Sequence, residues 1–417
     1  MIARRPRLTG RGKLLLLLSF LIFVAAVIVG EVDLVRVAVL VLITPLFSWL
    51  WLMGQRPKLG VDRTLDPVRI GAGSQCNVKL TVTNASNRTT STAMLEDRIP
   101  YTLGDRPRLL LEKLNSDSRT IVTYSLAPER RGKFDIGPLR AFATDPFGMS
   151  TVQQEFSEVT ELIVTPRVHP LESIKMGGPS GTVVGESRAL SVAISGEDDV
   201  AAREYRYGDD LRRIHWPTTA HRGELMVRRE EQPWDSTATL LLDVRKSAHH
   251  GDGPNSSFEW GVEAAASICR RLAADGMSSY MVTAWDDIAS RKEDFTHTLT
   301  FLATVQTTSN AELPLLISRA RVHRNSSAVI ALLGHVSPDQ AAQLTELGRQ
   351  RQHIGIIADP VAWSGASGAI AEKLEQEHHE ATKVLQGAGW LIRSVKPQTK
   401  LTHLWSGVSM AEAKVGQ

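Results

Sequence analysis

Two uncharged apolar runs open the chain: Leu14 to Val29 (LLLLLSFLIFVAAVIV) and Val37 to Met53 (VAVLVLITPLFSWLWLM). Each lies near the lower length limit for a membrane-spanning helix, roughly 17 residues. The link between them, GEVDLVR, is short. No small-x-small cleavage site is followed by a soluble region, because Val37 begins the second run. The pattern therefore predicts a membrane hairpin in place of a cleaved signal peptide. Arg4, Arg5, Arg7, Arg11 and Lys13 precede the first run, and Arg56, Lys58 and Arg63 follow the second. The link carries only Arg36 against Glu31 and Asp33. By the positive-inside rule both ends are expected in the cytoplasm, with Trp49 and Trp51 in an interfacial belt. The expected location is an inner or plasma membrane, crossed twice.

From Gly60 to about Pro170 the polar and apolar positions alternate with period two. Asn77 to Thr83 (NVKLTVT) and Thr120 to Ser125 (TIVTYS) read as half-buried strands, and Glu161 to Thr165 as another ending at Pro166. Turn signals separate them at Asn84–Asn87, Arg131–Gly132 and Asp145-Pro146-Phe147-Gly148. Short strands at such spacing predict a small immunoglobulin-like β-sandwich.

Past residue 236 the period changes. Thr237 to Asp243 (TATLLLD), Ser279 to Ala284, Ala328 to Leu333, His353 to Ala358 and Gly389 to Val395 read as buried strands. Helical spacing over Phe258–Ala274, Leu315–Ala320, Asp339–Arg349 and Ala369–Leu385 lies between them, with a last turn at Lys400–Trp405. Strands alternating with helices predict an α/β, doubly wound, mostly parallel sheet. Ligands of such sheets bind at the carboxyl ends of the strands, here Asp243, Asp286 and His335. The domains expected are an anchor over 1–58, the sandwich over 59–172, a connector over 173–236, the α/β domain over 237–396, and a C-terminal helix and tail over 397–417.

Composition changes little. The net charge of +3 over 417 residues carries no concentrated basic face, which argues against nucleic acid. Two distant cysteines, Cys76 and Cys269, cannot frame a disulfide scaffold or a thiolate zinc site. The run Met176–Gly185 is Gly-rich but lacks the closing Lys-Ser/Thr of a phosphate loop, so it reads as a connector. The paired histidines His249-His250 and His378-His379 have no ligand spacing and read as solvated. No nucleophile elbow appears, so no catalytic residue is assigned.

Two places retain candidate chemistry. After the first α/β strand, Asp243-Val-Arg-Lys-Ser247 keeps two oxygen ligands of an Asp-x-Ser-x-Ser loop that would bind Mg²⁺. Arg245 stands in the middle, where a guanidinium is expected to pair with Asp243 in the metal's stead. The second place is Gly196 to Val227, dense in acids, arginines and aromatics. Gly208-Asp209 is read there as a turn capping a short helix with Leu211 and Ile214, and His215 or Trp216, facing inward. Pro217 is read as ending that helix, before a strand at Glu224–Arg228. Asp209 and His215 could serve as acid and base, but their Arg-rich setting favours a structural role.

Within that segment, REYRYGDDLRRIHW resembles the signature of the domain-of-unknown-function-58 family through Arg203, Tyr205, Gly208, Asp209, Arg212, Ile214 and Trp216. Arg131-Gly132, Asp145-Pro146-Phe147-Gly148 and Val164-Thr165-Pro166 resemble the same family upstream. The resemblance implies a membrane-anchored protein with a von Willebrand factor A-like α/β domain and a MoxR-type AAA+ ATPase as partner. The departure at Arg245 weakens any implied metal site. The function expected is a membrane-tethered, non-enzymatic adaptor whose signature acts as structural clasp or docking surface. The alternatives are a divalent-metal-dependent binding protein using Asp243 and Ser247, and a hydrolase using Asp209 and His215.

Overall fold

The computed structural model describes residues 2–3, 6–54, 59–173, 202–205, 214, 216–228, 237–290, 295–348 and 352–406. The chain forms two units, Met1–Pro166 and Arg167–Gln417. The division precedes the sandwich edge expected at residue 172. Leu171 is buried in the α/β core, and the Trp405 indole donates to the carbonyl of Glu172 at 2.9 Å.

The first unit holds both apolar helices, α1 (Gly10–Val29) and α2 (Val32–Gly54). Each is long and apolar enough to cross a membrane. Thr9 caps α1 by accepting from the amide of Gly12, and Gly30 ends it in the left-handed conformation. Only Gly30 and Glu31 separate the helices, less than the link read from the charges. Val32–Arg36 joins α2, where Asp33 and Arg36 pair one turn apart at 2.6 Å. Small residues line the hairpin seam: Ser19, Ala26 and Ala38 are buried, and the Ser19 hydroxyl donates to Ala38 O at 2.8 Å. The outer faces stay apolar and open, with Phe20 63% and Leu40 69% exposed. Pro45 leaves the carbonyl of Val41 without its helical donor, and the Thr44 hydroxyl reaches it at 3.2 Å.

The rest of this unit is β: β1 (Ile2–Ala3), β2 (Arg7–Leu8), β3 (Leu59–Asp66), β4 (Arg69–Gly71), β5 (Cys76–Asn84), β6 (Ala93–Asp97), β7 (Arg108–Leu111), β8 (Arg119–Leu126), β9 (Gly132–Ile136), β10 (Leu139–Thr144), β11 (Ser150–Phe156) and β12 (Thr160–Thr165). They form sheets β3-β5-β8, β4-β12-β9 and β1-β11-β10-β6-β7, with β2 also on β11. Alternation along β5 buries Cys76, Val78, Leu80 and Val82 against Leu95, Leu111, Ile136 and Leu162 from the other sheets, giving a sandwich with one core. Inside it Arg63 forks onto the carboxylate of Asp97 at 2.7 and 3.2 Å, and the Tyr124 hydroxyl donates to the same carboxylate at 2.7 Å.

In the second unit, β13 (Ala202–Glu204) pairs antiparallel with β14 (Met226–Arg228), and α3 (Trp216–Arg222) precedes β14. The sheet that follows contains β15 (Thr237–Leu242), β16 (Ser278–Val282), β17 (Asp287–Ser290), β18 (Ala328–Leu333), β19 (Gln352–Ala358) and β20 (Leu391–Val395). Its order is β17-β16-β15-β18-β19-β20, and every pairing is parallel except β16 with β17. The helices are α4 (Ser257–Ala274), α5 (Phe295–Thr304), α6 (Leu313–Ala320), α7 (Pro338–Thr345), α8 (Pro360–Ser364) and α9 (Ala369–Gly387). One core joins Leu240 and Ile330 to Val262 and Ile268 of α4, and another joins Leu241 and Val329 to Leu316 of α6 and Leu344 of α7. Both faces of the sheet are thus covered, which is why its strands read as continuous apolar runs. The antiparallel β17 and helices α5 and α8 carry weaker periodic signals and were not anticipated.

Candidate functional site

The parallel sheet reverses its winding between β15 and β18, and the carboxyl ends of those two strands define the crevice where a doubly wound fold holds ligands. Asp243 leaves β15 there with its side chain only 1% exposed. Arg245, 7% exposed, turns back onto it: Nε and the backbone amide donate to Oδ1 at 2.9 and 3.0 Å, and Nη2 donates to Oδ2 at 2.7 Å. The amide of Gly334, just past β18, donates to Oδ2 at 3.3 Å. Burial pushes the Asp243 carboxyl up, but the Arg245 hydrogen bonds and charge outweigh it and hold the group below the usual carboxylate range.

The loop after β15 is braced on two sides. Thr308 N donates to Val244 O at 2.8 Å and Lys246 N donates to Thr308 O at 2.9 Å. His335 N donates to Ala248 O at 2.6 Å, and Arg245 Nη2 donates to His335 O at 3.2 Å. Gly334 permits this approach, since a Cβ there would stand 2.3 Å from Ala248 O. His249 closes the inner side, with Nε2 at 2.9 Å from the carbonyl of Asp243 and Nδ1 at 3.1 Å from Ser257 Oγ. The Asp243 carbonyl can only accept, so Nε2 carries the ring proton and Nδ1 of the neutral ring accepts from Ser257 Oγ, which itself accepts from the His250 amide at 3.0 Å.

Ser247, the other candidate oxygen ligand, is exposed on a short 3-10 turn. With four donors on its carboxylate, Asp243 has no lone pair directed at an external cation. Among the described residues no group of three or more His, Cys, Asp or Glu side chains is placed to hold a metal ion. The arrangement neutralises a buried acid through an internal ion pair. Two solvated pairs of histidines were expected, and the structure corrects this. Only His379 is exposed. His249 packs edge-on to Phe258 with ring centroids 5.2 Å apart, and His378 meets Ser394 Oγ at 2.9 Å. Burial lowers the pKa of His249, His250 and His378. Asp286 lies at the same sheet end, where its carbonyl accepts from Thr283 N at 2.8 Å.

The signature segment is placed in part. Arg203 pairs in register with Val227, Tyr205 N donates to Leu225 O at 2.8 Å, and Ile214 bridges to Val227. Gly208, Asp209, Arg212 and His215 lie outside the described residues. One local expectation is overturned, and one of two alternatives is removed from another. Pro217 stands in the first turn of α3 instead of ending a helix, because no backbone donor is needed there. Trp216 was expected as one of two candidates to face inward, and it is 66% exposed. Thr219 joins α3 to the ribbon by accepting from Met226 N at 3.0 Å. Gly334 and Thr308 give no signal in the sequence, since their partners lie 62 to 91 residues away and the contacts run through their backbone groups.

The fold and site define a class: a chain with two apolar helices, a β-sandwich and a doubly wound α/β unit whose ligand edge is closed by an internal ion pair. Residues 201–348 match the family described as "Protein of unknown function DUF58". No curated protein matches the chain. Among solved structures, the crystal structure of the CARDB domain of a Pyrococcus furiosus protein in complex with di-metal ions is 14% identical, with a TM-score of 0.21, over 27% of this chain and 97% of that one. The Pseudomonas fluorescens alkylpurine DNA glycosylase AlkC, bound to DNA containing an abasic site analog, is 11% identical, with a TM-score of 0.19, over 32% of this chain and 39% of that one.

Proposed function

We propose that the protein is a membrane-tethered, non-enzymatic scaffold, anchored by the α1–α2 hairpin, whose soluble units bind a protein partner in complex assembly. The observation that carries this reading is the bidentate Arg245–Asp243 pair, which fills the crevice where a ligand or metal would otherwise bind. A guanidinium in that position supplies the positive charge that a divalent cation would bring. On this reading the α/β unit is von Willebrand factor A-like with its metal position internally satisfied, and the sandwich is an immunoglobulin-like spacer. The partner implied by the family resemblance is a MoxR-type AAA+ ATPase. The basic residues flanking the hairpin favour a cytoplasmic location for both units. The signature ribbon β13–β14 and α3, with Trp216 exposed, is the docking surface we favour over a purely structural clasp.

The test is co-purification of the full chain from mild detergent after cross-linking. Recovery of an AAA+ ATPase, reduced at least tenfold by Trp216→Ala, supports the scaffold; a pull-down with no ATPase in repeated trials removes it.

A further inference from the structure

The loop Asp145–Met149, between β10 and β11, is strapped to both ends of the hairpin. Thr9 N donates to Met149 O at 2.9 Å and the Thr9 hydroxyl donates to Gly148 O at 2.7 Å. From the other helix, the Ser48 hydroxyl donates to Asp145 Oδ2 at 2.6 Å. Gly12 allows the approach, because a Cβ there would stand 2.4 Å from Met149 O. The antiparallel register set by Ser19 and Ala38 puts Thr9 and Ser48 at one level, so the loop is fixed at that level too.

We propose that this loop is a third membrane-contacting element, with Phe147 seated in the interfacial layer of the bilayer that holds the hairpin. The inference rests on the membrane-spanning reading of α1 and α2. Phe147 is 58% exposed at the loop tip. Leu14 and Phe47, 65% and 58% exposed, begin the outward apolar surface of the two helices. At 1.5 Å per residue, Leu14 lies only about 3–8 Å along the axis from Thr9–Gly12. The headgroup layer is roughly 5–8 Å deep on each side of the hydrocarbon, so the loop falls within it.

Charge points the same way. Arg7, Arg11 and Lys13 are exposed at this level, and the Arg11 guanidinium stands 3.5 Å from the position a Cβ of Gly148 would take. The acid of the loop is turned inward: Asp145 is 4% exposed. Burial raises its pKa, but hydrogen bonds from Ser48 and from the amides of Ser150 and Phe147 overcome this and keep it ionised below the usual range. The surface left facing outward is aromatic and cationic, which fits anionic lipid headgroups above an acyl boundary.

The experiment places a nitroxide label on full-length protein in nanodiscs of phosphatidylcholine and phosphatidylglycerol. The sites are Phe147→Cys, Phe20→Cys on the outer face of α1, and Ile121→Cys on the exposed face of β8. The native Cys76 and Cys269 are 0% exposed and escape the label. Accessibility to oxygen against a water-soluble nickel chelate then reads depth. The expected order is position 20 deepest, position 147 interfacial with nickel access at least threefold below position 121, and position 121 in water. If position 147 matches position 121 while position 20 reads hydrocarbon, the loop proposal is overturned and the hairpin reading stands. If position 20 also reads water, both fall.

Discussion

Arg245 shows how one residue redirects a site. In Asp243-Val-Arg-Lys-Ser247 a small hydroxyl at the middle position would leave the carboxylate open to a cation. The guanidinium instead reaches back two residues and takes both oxygens. Arg245→Ala leaves Asp243 buried without its counter-charge, and the expected loss is about 3–5 kcal/mol in denaturant unfolding. A double replacement of Arg245 and Asp243 by apolar residues should recover much of that loss. The pair also predicts a pH response. The folded-state pKa of Asp243 is depressed, so its contribution is present above the ordinary carboxylate value of about 3.9 and is lost as pH falls below it. His249, His250 and His378 are depressed too, by burial. In the unfolded chain they take up protons first as pH falls through about 6.5, so stability should decline from there downward. Each contributes at most about 1.4 kcal/mol per pH unit, and His249→Phe should flatten the slope between pH 6.5 and 5 in equilibrium unfolding.

At the scale of elements, glycines and hydroxyls decide how neighbouring pieces close. Gly334→Ala forces a methyl against Ala248 O, and the loops after β15 and β18 must part to admit it. A cost of about 1–3 kcal/mol in thermal unfolding is expected, with the Asp243–Gly334 hydrogen bond lost. Ser48→Ala removes one donor from a nearly buried carboxylate, at an expected cost of about 1–3 kcal/mol, and should increase protease cleavage at the Asp145–Met149 loop in detergent. The helices and strands that alternate strongly were readable in advance: Ala328–Leu333 forms β18 with its predicted limits, and Phe258–Ala274 lies inside α4. The exceptions are instructive. Pro217 carries the same local information at the start of a helix as at the end of one, and in the fold it stands in the first turn of α3. Short edge strands such as β7 and β17 have too few residues for a period to show.

At the scale of the whole molecule, the distribution of charge about the hairpin makes a directional prediction. A reporter fused after residue 417 should be active in the cytoplasm and silent outside, and Lys/Arg residues added to the Gly30–Glu31 turn should reduce or invert that signal. Activity confined to the outside would reverse the topology. The two units also differ in what steadies them. The sandwich encloses the Arg63–Asp97–Tyr124 network, and the α/β unit encloses Arg245–Asp243, each with a carboxylate almost wholly removed from water. Breaking one should unfold its own unit first, which differential scanning of Arg63→Ala and Arg245→Ala would register as separate shifts.

The sequence by itself determined the apolar helices, the β-to-α/β change of period, the position of Asp243 at a strand end, and its pairing with Arg245. These depend on contacts within a helix turn, along one strand or two residues apart, so local order carries them. Only the tertiary structure decided that Gly334 and Thr308 close the loop around that pair, that three of the four paired histidines are tucked into the fold, and that the Asp145–Met149 loop is tied to Thr9 and Ser48. The Gly334, Thr308, Thr9 and Ser48 contacts join residues 62 to 140 positions apart, and the histidine contacts residues 6 to 16 apart, through backbone atoms, hydroxyls and ring nitrogens that gain meaning only when packing brings them within hydrogen-bond reach.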